Sequence, residues 1–168
     1  MTTGIFLDVA VKPALSLLPP RMDSADARAM ILAICLQESK LTYRRQIRGP
    51  ARSYAQFEGG KMSGIANVLS HPKSAKLARS FCLDLDIAPD LAGVYEAIEW
   101  NDVLCAGFTR LNLWTSPSPM PGIDEPDRAW HVYESVWHPG KPHPATWNGY
   151  YAQAWAAVVP DLHGSTRA

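Results

Sequence analysis

The stretch Ala27-Arg28-Ala29-Met30-Ile31-Leu32-Ala33-Ile34-Cys35-Leu36-Gln37-Glu38-Ser39 decides how the rest of the chain is read. Counting back from Glu38 in steps of three and four gives Cys35, Ile34, Ile31, Met30 and Ala27, an apolar stripe that runs into a carboxylate. Leu32, Ala33 and Leu36 make most of the remaining surface apolar too, so the spacing predicts a central helix with polar ends only. Ser24 followed by Asp26 supplies its N-terminal cap. A carboxylate at the far end meets partial desolvation and the negative end of the helix dipole, and both favour its protonated form. Glu38 is therefore a candidate general acid. The alternative is a solvated or ion-paired glutamate, for which Arg44, Arg45, Arg48 and Arg52 are ready partners.

The segment downstream adds a pattern. Glu38-Ser39 is followed by Gly49-Pro50-Ala51-Arg52 and then by Tyr54-Ala55-Gln56-Phe57-Glu58. From Leu36 to Glu58 this order resembles the lysozyme-like lytic transglycosylases, in which a helix ends in Glu-Ser and a Gly-x-Ala-x-Gly-Leu-Met-Gln segment follows. It is most similar to the small phage versions that read Gly-Pro-Ala-Arg-x-x-x-Gln-Phe-Glu, with Ser53 standing where the general pattern has glycine. The resemblance implies a muramidase-type cleft with Glu38 as the catalytic acid and Gln56 lining the sugar site; Ser39 and Glu58 beside them are further candidates to line it, and Tyr54 and Tyr151 are candidate rings to stack on a sugar's apolar face. It implies no metal or organic cofactor. Glu58 has two readings: a second catalytic carboxylate facing Glu38, or a supporting residue that holds a neighbouring arginine or the Gly59-Gly60 turn. The four arginines likewise read either as solvated surface or as contacts for lactyl or peptide carboxylates of a cell-wall strand.

The 168 residues suit one domain, 1–168, with a mainly α, lysozyme-like fold, a central catalytic helix and at most a small β element. Residues 1–20 read as an N-terminal docking helix with Ile5, Phe6, Val9, Ala10 and Leu15 on one face, interrupted by Pro13 and ended by Pro19-Pro20. Residues 24–115 form the catalytic body. Within it 43–51 is irregular because Gly49-Pro50 stops a helix, and Gly59-Gly60 frees the backbone for a turn. Helices follow at 62–69, 74–85 and 90–98, and a further one capped by Asn101 or Asp102 runs to Trp114. A proline-rich connector, 115–122, then leads to a C-terminal helical pair within 123–160, its helices at 124–137 and 146–159 joined by a proline-containing loop. Trp130, Tyr133, Trp137, Trp147, Tyr150, Tyr151 and Trp155 fall at helical intervals and read mostly as packing between those two helices.

Sixteen basic and sixteen acidic residues cancel, which argues against a broad nucleic-acid or membrane-surface partner. Cys35, Cys82 and Cys105 are odd in number, widely spaced and set among apolar residues, so they read as buried thiols. The five histidines lack metal-ligand spacing. The only apolar run near the N-terminus contains Asp8 and Lys12, so neither a signal peptide nor a membrane span is expected. The function expected is cleavage of peptidoglycan glycan strands between N-acetylmuramic acid and N-acetylglucosamine. By analogy this is a phage endolysin or a virion-associated glycosidase, made in the cytoplasm and reaching the wall by lysis or inside a particle, with other virion proteins as further partners. Two alternatives stay open: a non-catalytic virion or tail component that keeps the fold, and a two-carboxylate, chitinase-like hydrolase.

Overall fold

A computed structural model of the chain describes residues 1–164, with side chains through residue 160. It is mainly helical, and its described residues contain no β-strand. Nine α-helices are assigned among them: α1 (Thr3–Phe6), α2 (Lys12–Ser16), α3 (Ala25–Ser39), α4 (Gly64–Ser70), α5 (Ala75–Asp84), α6 (Leu91–Ala97), α7 (Asp102–Thr115), α8 (Pro126–Trp137) and α9 (Pro144–Gly164).

α3 is the axis of the molecule. The Ser24 hydroxyl accepts from the Ala27 amide at its start, and Lys40 closes its end in the left-handed conformation. Ala29 to Leu36 are all buried, so beyond its first turn the helix has no wet face until Gln37. α9 lies along it, and α7, whose first turn is capped by the Asn101 side chain, crosses both α3 and the leader. Gly107 in α7 is required by the close approach of α5, because a β-carbon there would meet the Phe81 ring at 2.1 Å.

The leader differs in register from its periodicity. Between α1 and α2 the chain winds through a π-helical segment, Leu7–Val11, in which the Lys12 amide bonds the Leu7 carbonyl. This wide turn places Pro13, which has no amide hydrogen to give, in the first turn of a fresh α-helix. The buried positions then repeat every four residues, as Phe6, Ala10 and Ala14 beside Leu7, Val11 and Leu15. Ile5 and Val9, expected on the core face, are half exposed.

Residues 43–58 form the irregular segment that positions the site. Its only β character is a pair of isolated antiparallel bridges, Arg45 with Arg52 and Arg52 with Phe57. Arg52 and Phe57 exchange both backbone hydrogen bonds at 2.8 Å, closing a tight loop over 53–56. Ser53 and Gln56 bend that loop by adopting positive φ, 67° and 52°. The Gly59-Gly60 pair, expected to free the backbone for a turn, leads into one in which the Ser63 amide bonds the Gly60 carbonyl at 3.0 Å, and neither glycine needs a positive φ. Gly59 is small for a different reason: the Tyr95 ring lies 2.8 Å from where its β-carbon would sit.

Candidate functional site

A cleft of about 1180 Å³ opens where α3 ends. Its floor comes from Gln37 and Glu38 of α3 and from Asn112, Thr115 and Ser116 at the end of α7. One wall is Gln56, Phe57 and Glu58 with the start of α4; the other is the end of α8 with the loop from His138 to His143.

Glu38 is the one partly buried carboxylate in this cleft, and Glu58, which is exposed, is the other acid on its wall. The Tyr133 hydroxyl of α8 donates a hydrogen bond to Glu38 Oε1 at 2.5 Å. Burial raises Glu38 to about 7, and the hydrogen bond from Tyr133 opposes the rise. The tyrosine is itself pushed far up by burial and by the carboxylate beside it. Around neutral pH Glu38 therefore exchanges a proton while Tyr133 stays a donor. Neighbouring contacts hold the pair in place: Trp147 stacks on the Tyr133 ring at 5.1 Å, and Trp137 bonds the Ala55 carbonyl through its indole nitrogen at 3.0 Å. The 53–56 loop is thereby tied to α8, with Phe57 5.5 Å from the Trp137 ring.

The arginines do not reach Glu38. Arg45 and Arg52 converge on Glu99, which is 4% exposed, at 2.9 and 3.5 Å. Arg44 forms a two-pronged pair with Asp102 and lies over the Tyr54 ring, 4.5 Å from its centroid. Arg52 also stacks on Tyr95, whose hydroxyl bonds the Pro50 carbonyl. Three of the four arginines, read either as solvated surface or as ligand contacts, thus form the skeleton that shapes the 43–58 segment, with Arg45 partly in solvent, and Arg48 is exposed.

Of the residues expected to line a sugar site, Gln56 and Glu58 join Glu38 on the cleft. The Gln56 amide nitrogen is committed to the backbone, donating to Ser53 O at 2.7 Å and Tyr43 O at 3.2 Å, so its carbonyl oxygen is the group left for a ligand. Ser39, Tyr54 and Tyr151 stand apart. Ser39 is buried and donates to Cys35 O of its own helix. Tyr54 points inward against Phe6. Tyr151 is 2% exposed and spends its hydroxyl on the carbonyls of Pro121 and Gly122. In each case the helical or loop register turns the ring or hydroxyl into the core. The cleft residues not singled out for it include Tyr133 and Trp137, assigned to core packing, and Asn112, a buried amide that accepts from Asn67 at 3.0 Å and bridges α7 to α4. A hydroxyl on a buried ring needs a partner, and that was the available signal for Tyr133.

The three cysteines are buried and free, and among the described residues no three His, Cys, Asp or Glu side chains are grouped to hold a metal ion. No described helix is long and apolar enough to cross a membrane. No family model, curated protein or solved structure matches the chain.

Proposed function

We propose that the chain cleaves the glycan strand of peptidoglycan, with Glu38 as its general acid. The observation that carries this reading is a single carboxylate at the head of a large cleft, raised by burial to about 7 and held by a tyrosine instead of a cation. A glycosidic oxygen needs a proton as its bond breaks, and an acid with a pKa near the working pH delivers it best. Tyr133 binds Oε1, which leaves the other carboxyl oxygen to carry that proton. Once the proton is given and an oxocarbenium-like centre develops, the Glu38 carboxylate takes a proton from the C6 hydroxyl, closing a 1,6-anhydro ring, or from water. Between the two transfers Tyr133 stabilises the carboxylate through its bond to Oε1. The cleft is furnished for a sugar polymer: the side-chain oxygens of Gln56 and Asn67 can accept from hydroxyl and acetamido groups, and the half-buried Trp137 offers apolar ring surface.

Glu58 keeps a second, hydrolytic version of the same reading open, because it shares the cleft and is exposed. Mass spectrometry of muropeptides released from purified peptidoglycan by the wild type, Glu38→Gln and Glu58→Gln tests both. Anhydro products that vanish with Glu38→Gln alone are expected, at a rate loss of about 10²- to 10⁴-fold. Reducing-end products lost equally with either variant would make Glu58 the second catalyst. Equal release by wild type and Glu38→Gln would overturn the assignment, and absence of release from the wild type would leave a binding protein in its place.

A further inference from the structure

A second cavity, of about 450 Å³, lies where α7 gives way to the proline-rich connector. Three cations stand on its wall, Arg21, Lys73 and Arg110, with no carboxylate among its described lining residues. Trp114 sits between two of them, its ring centroid 5.7 Å from the Arg21 guanidinium and 5.0 Å from that of Arg110.

Arg110 makes this more than a basic patch. It projects from α7, is 2% exposed, and donates from Nε to the Met22 carbonyl at 2.7 Å, yet its buried Nη1 has no hydrogen-bond partner among the described residues. A buried guanidinium without a counter-charge is expensive to keep. Asp23, the acid whose field reaches it, is already held by Arg28 through two hydrogen bonds of 2.7 and 2.8 Å. Among the described residues the Lys73 ammonium donates to the Ser116 carbonyl alone, at 3.4 Å. The contrast with the 43–58 segment is chemical. There Glu99 and Asp102 are matched by guanidinium groups, whereas here cations gather round an open space whose described lining holds no carboxylate.

We infer that this cavity binds an oxyanion, a carboxylate or a phosphate, carried on a body that packs against Trp114 and Met120. Planar guanidinium groups and a lysine converging on one space suit such a group, and the aromatic wall supplies contact for what carries it. Ser116 lines both this cavity and the cleft, so a polymer lying in the cleft can present an acidic side group here. The inference does not depend on bond cleavage at Glu38, and it relocates the expected carboxylate contacts from Arg44, Arg45 and Arg52 to Arg21, Lys73 and Arg110.

The test is a titration of the ¹⁵N-labelled full chain, following the Trp114 indole N–H assigned through Trp114→Phe. Two compounds serve as probes: N-acetyl-D-alanyl-D-alanine for a peptide carboxylate and inorganic phosphate for a phosphate group. A saturable shift with either supports the site, and which of the two gives it identifies the source of the anion. Arg21 and Lys73 are exposed, so Arg21→Gln with Lys73→Gln leaves the core intact and should weaken binding at least about tenfold, the equivalent of one charge-assisted hydrogen bond. Arg79→Gln, an exposed cation off the cavity, should leave the affinity unchanged. Linear, non-saturating shifts with both compounds would overturn the inference, and so would an affinity unchanged in the double variant. Muropeptide release by the same double variant reads the cleft separately, so failure of one assignment does not mask failure of the other.

Discussion

Two sunken carboxylates, Glu38 and Glu99, are treated oppositely by this fold. Glu99 is enclosed by guanidinium groups, Arg45 at 2.9 Å and Arg52 at 3.5 Å, and those contacts fasten the 43–58 segment to the turn before α7. Among the described residues Glu38 has no cation beside it, only the hydroxyl of Tyr133, and it faces a cleft large enough for a polymer. A carboxylate with matched charges is a fastening, whereas one desolvated without them keeps a proton it can exchange. Burial alone does not separate a structural acid from a chemical one; the partner does.

The widest gap between the two should appear in the pH dependence of stability. Glu38 rises from an unfolded value of 4.5 to about 7 in the folded chain, so the folded state holds the extra proton between those limits. Its contribution is whole below pH 4.5 and is lost as pH climbs through 7, a loss of about 3 kcal/mol. Glu38→Gln should flatten that part of the curve and exceed the wild type in stability at pH 8, as read by denaturant unfolding across pH. Wild-type and Glu38→Gln curves that run parallel between pH 5 and 8, with the variant the less stable, would mean that Glu38 is ion-paired after all.

Glu99→Gln probes the other side of the comparison. It strands Arg45 and Arg52 beside a neutral amide, and because both arginines retain some access to water the cost should be about 2 kcal/mol instead of the larger penalty of a fully buried pair. The unfolding midpoint should fall while the pH profile of cleavage keeps its shape. A changed profile with an unchanged midpoint would move Glu99 from fastening to chemistry.

Tyr133→Phe should cost about 1 kcal/mol, the net worth of one hydrogen bond. It should also raise the Glu38 pKa further, since the lost donor was the influence holding it down. The alkaline limb of a pH–rate profile should therefore move up. A downward shift would show that Tyr133 stabilises the protonated acid, contrary to the geometry.

How far these roles could be read from the chain depends on how local their causes are. The helices at α3 and α7 follow from apolar spacing and from the Ser24 and Asn101 caps, all within a few residues of one another. The fate of the arginines was hidden because their carboxylates stand 47 to 58 residues away, at Glu99 and Asp102. Tyr133 was hidden for a related reason: helical spacing assigns its ring to the core, while the destination of its hydroxyl depends on how α8 crosses the end of α3. The leader misled by its π segment, which alters the repeat from one position to the next.

The smallest expected effect lies in the loop that links the two carboxylates' surroundings. Ser53 holds φ at 67° in the turn between Arg52, a partner of Glu99, and Gln56, on the wall of the Glu38 cleft. A side chain in that left-handed region carries strain of about 1 kcal/mol, and glycine relieves it while adding unfolded-state freedom of nearly the same size. Ser53→Gly should therefore raise stability by no more than about 0.5 kcal/mol, the small difference between those two terms. The loop has two anchors of its own, the Arg52–Phe57 bridge and the bond from Trp137 to Ala55, so relief at one residue should leave its shape alone. Stability and muropeptide release measured together decide the point: a slight gain in the first with no loss in the second keeps fastening and cleft independent, and a loss of release would mean that strain at Ser53 helps set Gln56 in the cleft.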